Sequence, residues 1–180
     1  ESNIKLSIMV DSYRVKEQVF APADESPIDM VRVATYVKYI DSAIDLIKRC
    51  RDLGYETSCN IMSVSTEREP DLVEALDQLA KTAVDVVYVV DSFGALYCEQ
   101  IEYLVKLYKQ HLPGKNVRYV AYPWHCYSRL ALELSQGAGY IADFVGKSSG
   151  RYSGVRPGKP ALVPRVGGDF FFRLPGKGRV

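Results

Sequence analysis

The chain is poor in the residues that most often announce chemistry. Its 180 residues include two histidines and four cysteines. Cys50, Cys59, Cys98 and Cys126 lie far apart with no C-x-x-C pair, which excludes the paired spacing of a zinc site. They read as reduced, mostly buried thiols of a cytoplasmic protein. No run reaches the roughly 18 apolar residues of a membrane helix, and ESNIKLSIMV lacks the basic start and long apolar core of a signal peptide. A phosphate loop is missing too: Gly146-Lys147-Ser148 has the right ending, but Ile141 stands where the first glycine is required. Gly137-x-Gly139-x-x-Ala142 fits the loose dinucleotide pattern, yet it follows a helical segment where a strand is needed.

Glycine is scarce in one half only. Residues 1–114 hold 3 glycines and residues 115–180 hold 10. Charge splits at the same place: 12 Lys and Arg against 19 Asp and Glu in the first part, a net −7, then 11 against 3, a net +8. The two stretches follow different compositional logic, which the overall +1 conceals. The basic stretch has no regular alternation of aromatic and basic residues, so a nucleic-acid partner is not expected.

What is present is a rhythm. Apolar strand candidates at residues 28–36, 57–64, 85–91 and 117–122 start roughly 30 residues apart, with a shorter one at residues 4–10 before them. Between them run helical patterns. Ile40, Ala43, Ile44, Ile47 and Cys50 form one stripe, and Gly54 is the stop after it. Leu72, Ala75, Leu76 and Leu79 form the second; Ile101, Leu104, Val105 and Tyr108 form the third, ended by Pro113-Gly114. Alternation of this kind means βαβ units and a parallel sheet. Two architectures fit: part of a (β/α)8 barrel, which needs about 250 residues when complete, or an open flavodoxin-like sheet. After residue 122 the rhythm fades. One helix is expected over residues 128–136, then an irregular Gly/Pro/Arg-rich extension with apolar islands at 161–163 and 170–172.

Parallel α/β proteins keep their chemistry where strands end. Those ends carry Asp11 and Tyr13, then Arg32, Thr35 and Tyr36, then Asn60, Met62 and Ser63, then Asp91 and Ser92, and last His125. Arg32 and Asn60 stand out because they interrupt apolar strands. A charge there must be paired or face a polar cavity, so Arg32 either bridges to Asp29 or Asp91 or walls an anion pocket. Asn60 either braces a loop or joins that pocket. Asp91-Ser92-x-Gly94 is suited to capping the next helix or supporting a site. His111 fits a helix C-terminus, and His125 is either a packed side chain or a metal ligand.

Met30-Val-Arg-Val-Ala-Thr35, Gly54-Tyr-Glu-Thr-Ser-Cys-Asn-Ile-Met62 and Val89-Val-Asp-Ser-Phe-Gly-Ala-Leu-Tyr97 carry a resemblance to the HMG-CoA-lyase-like (pyruvate carboxyltransferase-like) metallolyases. Within that family the nearest likeness is to 4-hydroxy-2-oxovalerate aldolase-like proteins, over residues 3–120. The resemblance implies a TIM barrel of which this chain holds about strands 3–7, in a domain of residues 1–122 followed by a divergent tail, 123–180. It implies Mg²⁺ or Mn²⁺ holding a 2-oxo acid or its enolate while a carbon–carbon bond is made or broken. By the same resemblance Arg32, Asn60 and Asp91 take catalytic or bracing positions, Thr35, Met62 and Ser92 contact substrate, and His125 is a metal ligand. The family's aspartate ligand and catalytic arginine belong to strands absent from this chain. Its His-x-His-Asn motif reads His125-Cys126-Tyr127-Ser128 here, so an inactive fragment is expected. Unpaired sheet edges would favour a homo-oligomer. The alternative is a non-catalytic α/β domain that binds a ligand or partner at its strand ends.

Overall fold

The computed structural model describes residues 5–14, 20–114, 119–121, 128–137, 140, 142–145 and 161–164. The chain divides into two compact units, Glu1–Asn116 and Val117–Val180.

The first unit is built on four parallel strands: β1 (Ser7–Asp11), β2 (Met30–Thr35), β3 (Glu56–Ile61) and β4 (Val86–Val89). Three helices accompany them: α1 (Ile40–Asp52), α2 (Glu69–Ala80) and α3 (Cys98–His111). The strands lie side by side in chain order, β1-β2-β3-β4. A flavodoxin-like sheet reverses its direction of growth after its first strand; among the described residues the order of this unit advances in one direction. Right-handed crossovers that all advance in one direction leave their helices on one face. Accordingly Val31, Val33, Cys59 and Ile61 of the strands share one buried cluster with Ala43 and Ile47 of α1, Leu76 of α2 and Leu107 of α3. Sequential order with helices on one side is consistent with a segment of a (β/α)8 barrel.

The expected stripes fill that core with one shift. All four α2 residues are buried, and in α1 Leu46 is buried where Ile44 was expected to be. In α3 the buried set is Leu104, Leu107 and Tyr108, while Ile101 is 40% exposed. This helix packs against α2, which turns its core face toward Leu107, and Leu104, Leu107 and Tyr108 join the buried cluster under the sheet.

The amino ends of the strands are latched by polar groups. Asp85 accepts from the Thr57 N–H at 2.8 Å and from Arg51 Nη1 at 2.8 Å, so one carboxylate ties the start of β3, the approach to β4 and the end of α1. The Tyr55 hydroxyl donates to the Ala21 carbonyl at 2.7 Å.

The second unit contains β5 (Tyr119–Ala121), α4 (Arg129–Gly137), β6 (Ala142–Val145) and β7 (Ala161–Pro164). Its strands form a separate parallel sheet in the order β5-β6-β7. Two expectations change here. The strand expected at 117–122 pairs with β6 and belongs to the second unit, so the division falls before it. The extension expected to be irregular carries β6 and β7, the latter on the apolar island at 161–163. Four-residue strands are too short to show a period against proline-rich surroundings. The second island, at 170–172, lies outside the described residues.

Candidate functional site

A parallel sheet covered on both faces is apolar on both. The β1–β4 sheet is apolar only toward its helices. Register pairs Arg32 with Met9 and Ser58, Ala34 with Asp11 and Asn60, and Asn60 with Tyr88. Side chains alternate along a strand, so Met9, Arg32, Ser58, Asn60 and Tyr88 share the opposite face. Ser58 is fully buried and Asn60 nearly so, and the Ser58 hydroxyl donates to Asn60 Oδ1 at 3.4 Å.

Arg32 starts on β2 and its guanidinium carbon lies 5.3 Å from the centre of the Tyr88 ring on β4. Two inter-strand spacings separate those strands, about 10 Å, so the side chain crosses β3 above the level of Ser58 and Asn60. The expected salt bridge is not made. Asp29 accepts from the Leu6 N–H at 2.7 Å, and Asp91 accepts from the Leu96 N–H at 2.9 Å. Arg32 Nε is buried and has no hydrogen-bond partner among the described residues.

At the carboxyl ends the predicted residues divide by role. The Thr35 hydroxyl points away from the polar face, by the alternation along β2. It accepts from the Ser12 hydroxyl at 2.9 Å and is oriented toward the Tyr36 and Tyr39 carbonyls at 3.1 and 3.3 Å. Its valence is spent on bracing the β1 and β2 ends. Met62 is half-buried, and its N–H continues the β2–β3 pairing by donating to the Thr35 carbonyl at 2.8 Å. Ser92 Oγ accepts from the Ser63 N–H at 3.0 Å. Ser63 has a φ of +57°, uncommon for a residue with a side chain, and Ser92 is one of the groups that hold it there. Neither Asp91 nor Ser92 caps α3. That helix starts at Cys98, and the Tyr97 N–H before it donates to Gln100 Oε1 at 2.9 Å. Asp91 instead closes a turn in which Gly94 takes a φ of +63°, and its second oxygen, Oδ1, is buried with no partner among the described residues.

Arg32 and Asn60 are therefore brought together on one face, with Asp91 and Ser92 at its carboxyl end. His125 lies outside the described residues. So do Cys126 and Tyr127, and among the described residues no group of three His, Cys, Asp or Glu side chains is placed to hold a metal. Tyr88 was overlooked from the sequence. It is the one polar interruption of VVYVV, but an aromatic ring in an apolar run passes as core.

Beside this face Tyr13 stacks on Tyr39 with ring centres 5.0 Å apart and meets Tyr36 at 5.7 Å. Arg14 lies over the Tyr13 ring at 5.5 Å and Lys38 over the Tyr39 ring at 4.9 Å.

No family model matches the chain. It is similar to the 4-hydroxy-2-oxovalerate aldolase of Geobacillus thermodenitrificans, with 35% identity over 85 residues, 47% of this chain and 25% of that protein. The 4-hydroxy-2-oxovalerate aldolase of Brevibacillus brevis is 29% identical over 108 residues, 60% of this chain and 30% of that protein. Among solved structures it resembles the N-terminal domain of "a putative aldolase" from Bacteroides vulgatus, with a TM-score of 0.50 and 26% identity over 66% of this chain and 40% of the other. The resemblance to 4-hydroxy-2-oxovalerate aldolases thus holds. The stretch matched is about a quarter of the length of the first of these relatives.

Proposed function

We propose that this chain carries the substrate face of a carbon–carbon lyase of the aldolase kind, directed at a small 2-oxo acid. The observation that supports it is the polar strip of Arg32, Ser58, Asn60 and Tyr88 on a sheet whose other face is dry core. Polar side chains within parallel strands are either paired or line a polar cavity, and the second of these supports the reading. Arg32 supplies the positive charge for a carboxylate. Asn60 and Asp91 brace the pocket, Met62 and Ser92 form its rim, and Thr35 holds two strand ends in place without touching the substrate. The sheet is read as an arc of a (β/α)8 barrel, and the aldolase similarity favours that closure. The free, buried thiols of Cys50 and Cys59 suit a cytoplasmic setting.

Mg²⁺ or Mn²⁺ would be expected beside an aldolase substrate, but the donors present do not fit. After His125 the chain offers Cys126, Tyr127 and Ser128, and neutral phenol and hydroxyl groups are poor ligands for hard divalent cations. On these residues the chain by itself is non-turning.

Incubation of the purified chain with 4-hydroxy-2-oxovalerate and Mn²⁺, with pyruvate read by lactate dehydrogenase, is expected to show no release above background. Hydrogen exchange on the same mixture is expected to show protection in peptides covering 56–62 and 86–97. Pyruvate release that EDTA abolishes would overturn the non-turning reading. Absence of protection in both peptides would sink the pocket.

A further inference from the structure

We propose that Arg32 and Tyr88 together form a metal-independent anion site whose ligand is a small planar carboxylate of the 2-oxo acid kind, and that Tyr88 is its positioning residue. This deepens the pocket reading above and rests on it for the choice of ligand.

A guanidinium inside a sheet has three ways to be held: an ion pair, hydrogen bonds to oxygen, or the face of a ring. The first is not observed among the described residues. Asp29 and Asp91 are engaged by backbone N–H groups instead. The second is absent at Nε, which is buried without a partner among the described residues. The third is present, with the guanidinium carbon 5.3 Å from the Tyr88 ring centre.

The distinction matters for ligand binding. An arginine locked to a carboxylate has its charge neutralised and its donor fork filled. A ring fixes the plane of the guanidinium while leaving its edge, and so its paired N–H donors, open. The edge of a planar guanidinium matches a carboxylate in two-point fashion. Arg32 as a residue is only partly buried, and with Nε covered the fork offered to a ligand is the pair of terminal N–H groups. The neighbours favour a small ligand with further polar atoms: Asn60 sits beside Tyr88 in register, with Ser58 two residues away on the same face. A carboxylate joined to a carbonyl presents such atoms in one plane.

Oxamate is the probe, because it carries that planar pair and has no bond for a lyase to break. Its affinity for the full chain, measured in EDTA by isothermal titration, tests the site whatever the outcome of the pyruvate assay. Binding is expected in EDTA, and Arg32→Lys is expected to weaken it about tenfold, since an ammonium lacks the fork. Tyr88→Leu, which removes the ring, is expected to weaken it about threefold to tenfold. Tyr88→Phe keeps the ring and is expected to restore most of the affinity, which loss of a structural hydroxyl would not allow. Circular dichroism on each variant shows whether it folds. Should Arg32→Lys fail to fold, the Tyr88 pair decides. The proposal is overturned if the parent chain does not bind oxamate in EDTA, if folded Arg32→Lys binds as well as the parent, or if Tyr88→Leu and Tyr88→Phe behave alike.

Discussion

Cys59 lies fully buried on the helix side of β3, and burial pushes its thiol up to about 12. Cys50, buried on α1, is pushed up to about 11 for the same reason. Both start from 9.0. The sign follows from linkage: the folded chain holds these protons more tightly than the unfolded chain does. Their contribution to stability is complete below about pH 9 and is lost as pH rises through about 11 and 12. Urea midpoints are expected to fall between pH 8 and about pH 10, with a shallower fall in a Cys59→Ala variant. Peptide mapping after alkylation at pH 8 is expected to find Cys50 and Cys59 unmodified until denaturant is added, because the reactive species is the thiolate. The same logic of burial explains which site residues could be read from the sequence. Arg32 and Asn60 break apolar runs with groups that cannot be buried idly, so they announced themselves. Tyr88 did not, because its ring satisfies an apolar position and only the three-dimensional register shows the cation above it.

At the scale of elements, α1 shows why helices were more legible than strands. Its stripe recurs at three- and four-residue steps over 13 residues, and its end is marked by Gly54. The Gly54 N–H donates to the Arg51 carbonyl at 2.9 Å and the Tyr55 N–H to the Cys50 carbonyl at 3.0 Å, with Gly54 at a φ of +91°. This is a Schellman closure, which a glycine completes without steric cost. Gly54→Ala is expected to cost about 1–2 kcal/mol, since an L-residue is disfavoured in that region. An added Cβ would also come within 3.4 Å of Ala23. The urea midpoint should drop while the far-ultraviolet spectrum stays the same; an unchanged midpoint would mean that the helix end carries no such constraint. The α3 face was only half legible, because its rotation toward α2 depends on a neighbour in space. The strands β6 and β7 were not legible as strands. They are short, and their partners are each other and β5; an apolar island marks β7, but it has no period that tells strand from loop.

On the scale of the molecule, the edges of the first sheet decide what the chain does in solution. Among the described residues β1 pairs only with β2, and β4 only with β3. Edge strands left open are templates for association. On β1 the charge is confined to Asp11 at its end; Met9, on the polar face, is 55% exposed, and Leu6 just before the strand is 48% exposed. Beyond β4, Phe93 and Tyr97 are 63% and 75% exposed. Charge adds a second drive, since residues 1–114 carry −7 and residues 115–180 carry +8. Opposite halves attract between copies at low ionic strength, and salt screens them over a Debye length of about 10 Å at 0.1 M. Light scattering is therefore expected to give a mass above the 20.2 kDa of one chain, rising with concentration and falling as salt is added. Met9→Lys places a charge at the edge and is expected to lower that mass at fixed salt. The two drives separate in this experiment: salt acts on the charged halves, whereas Met9→Lys acts on the edge. A mass of one chain at every concentration and salt would show that both edges of the first sheet are already covered.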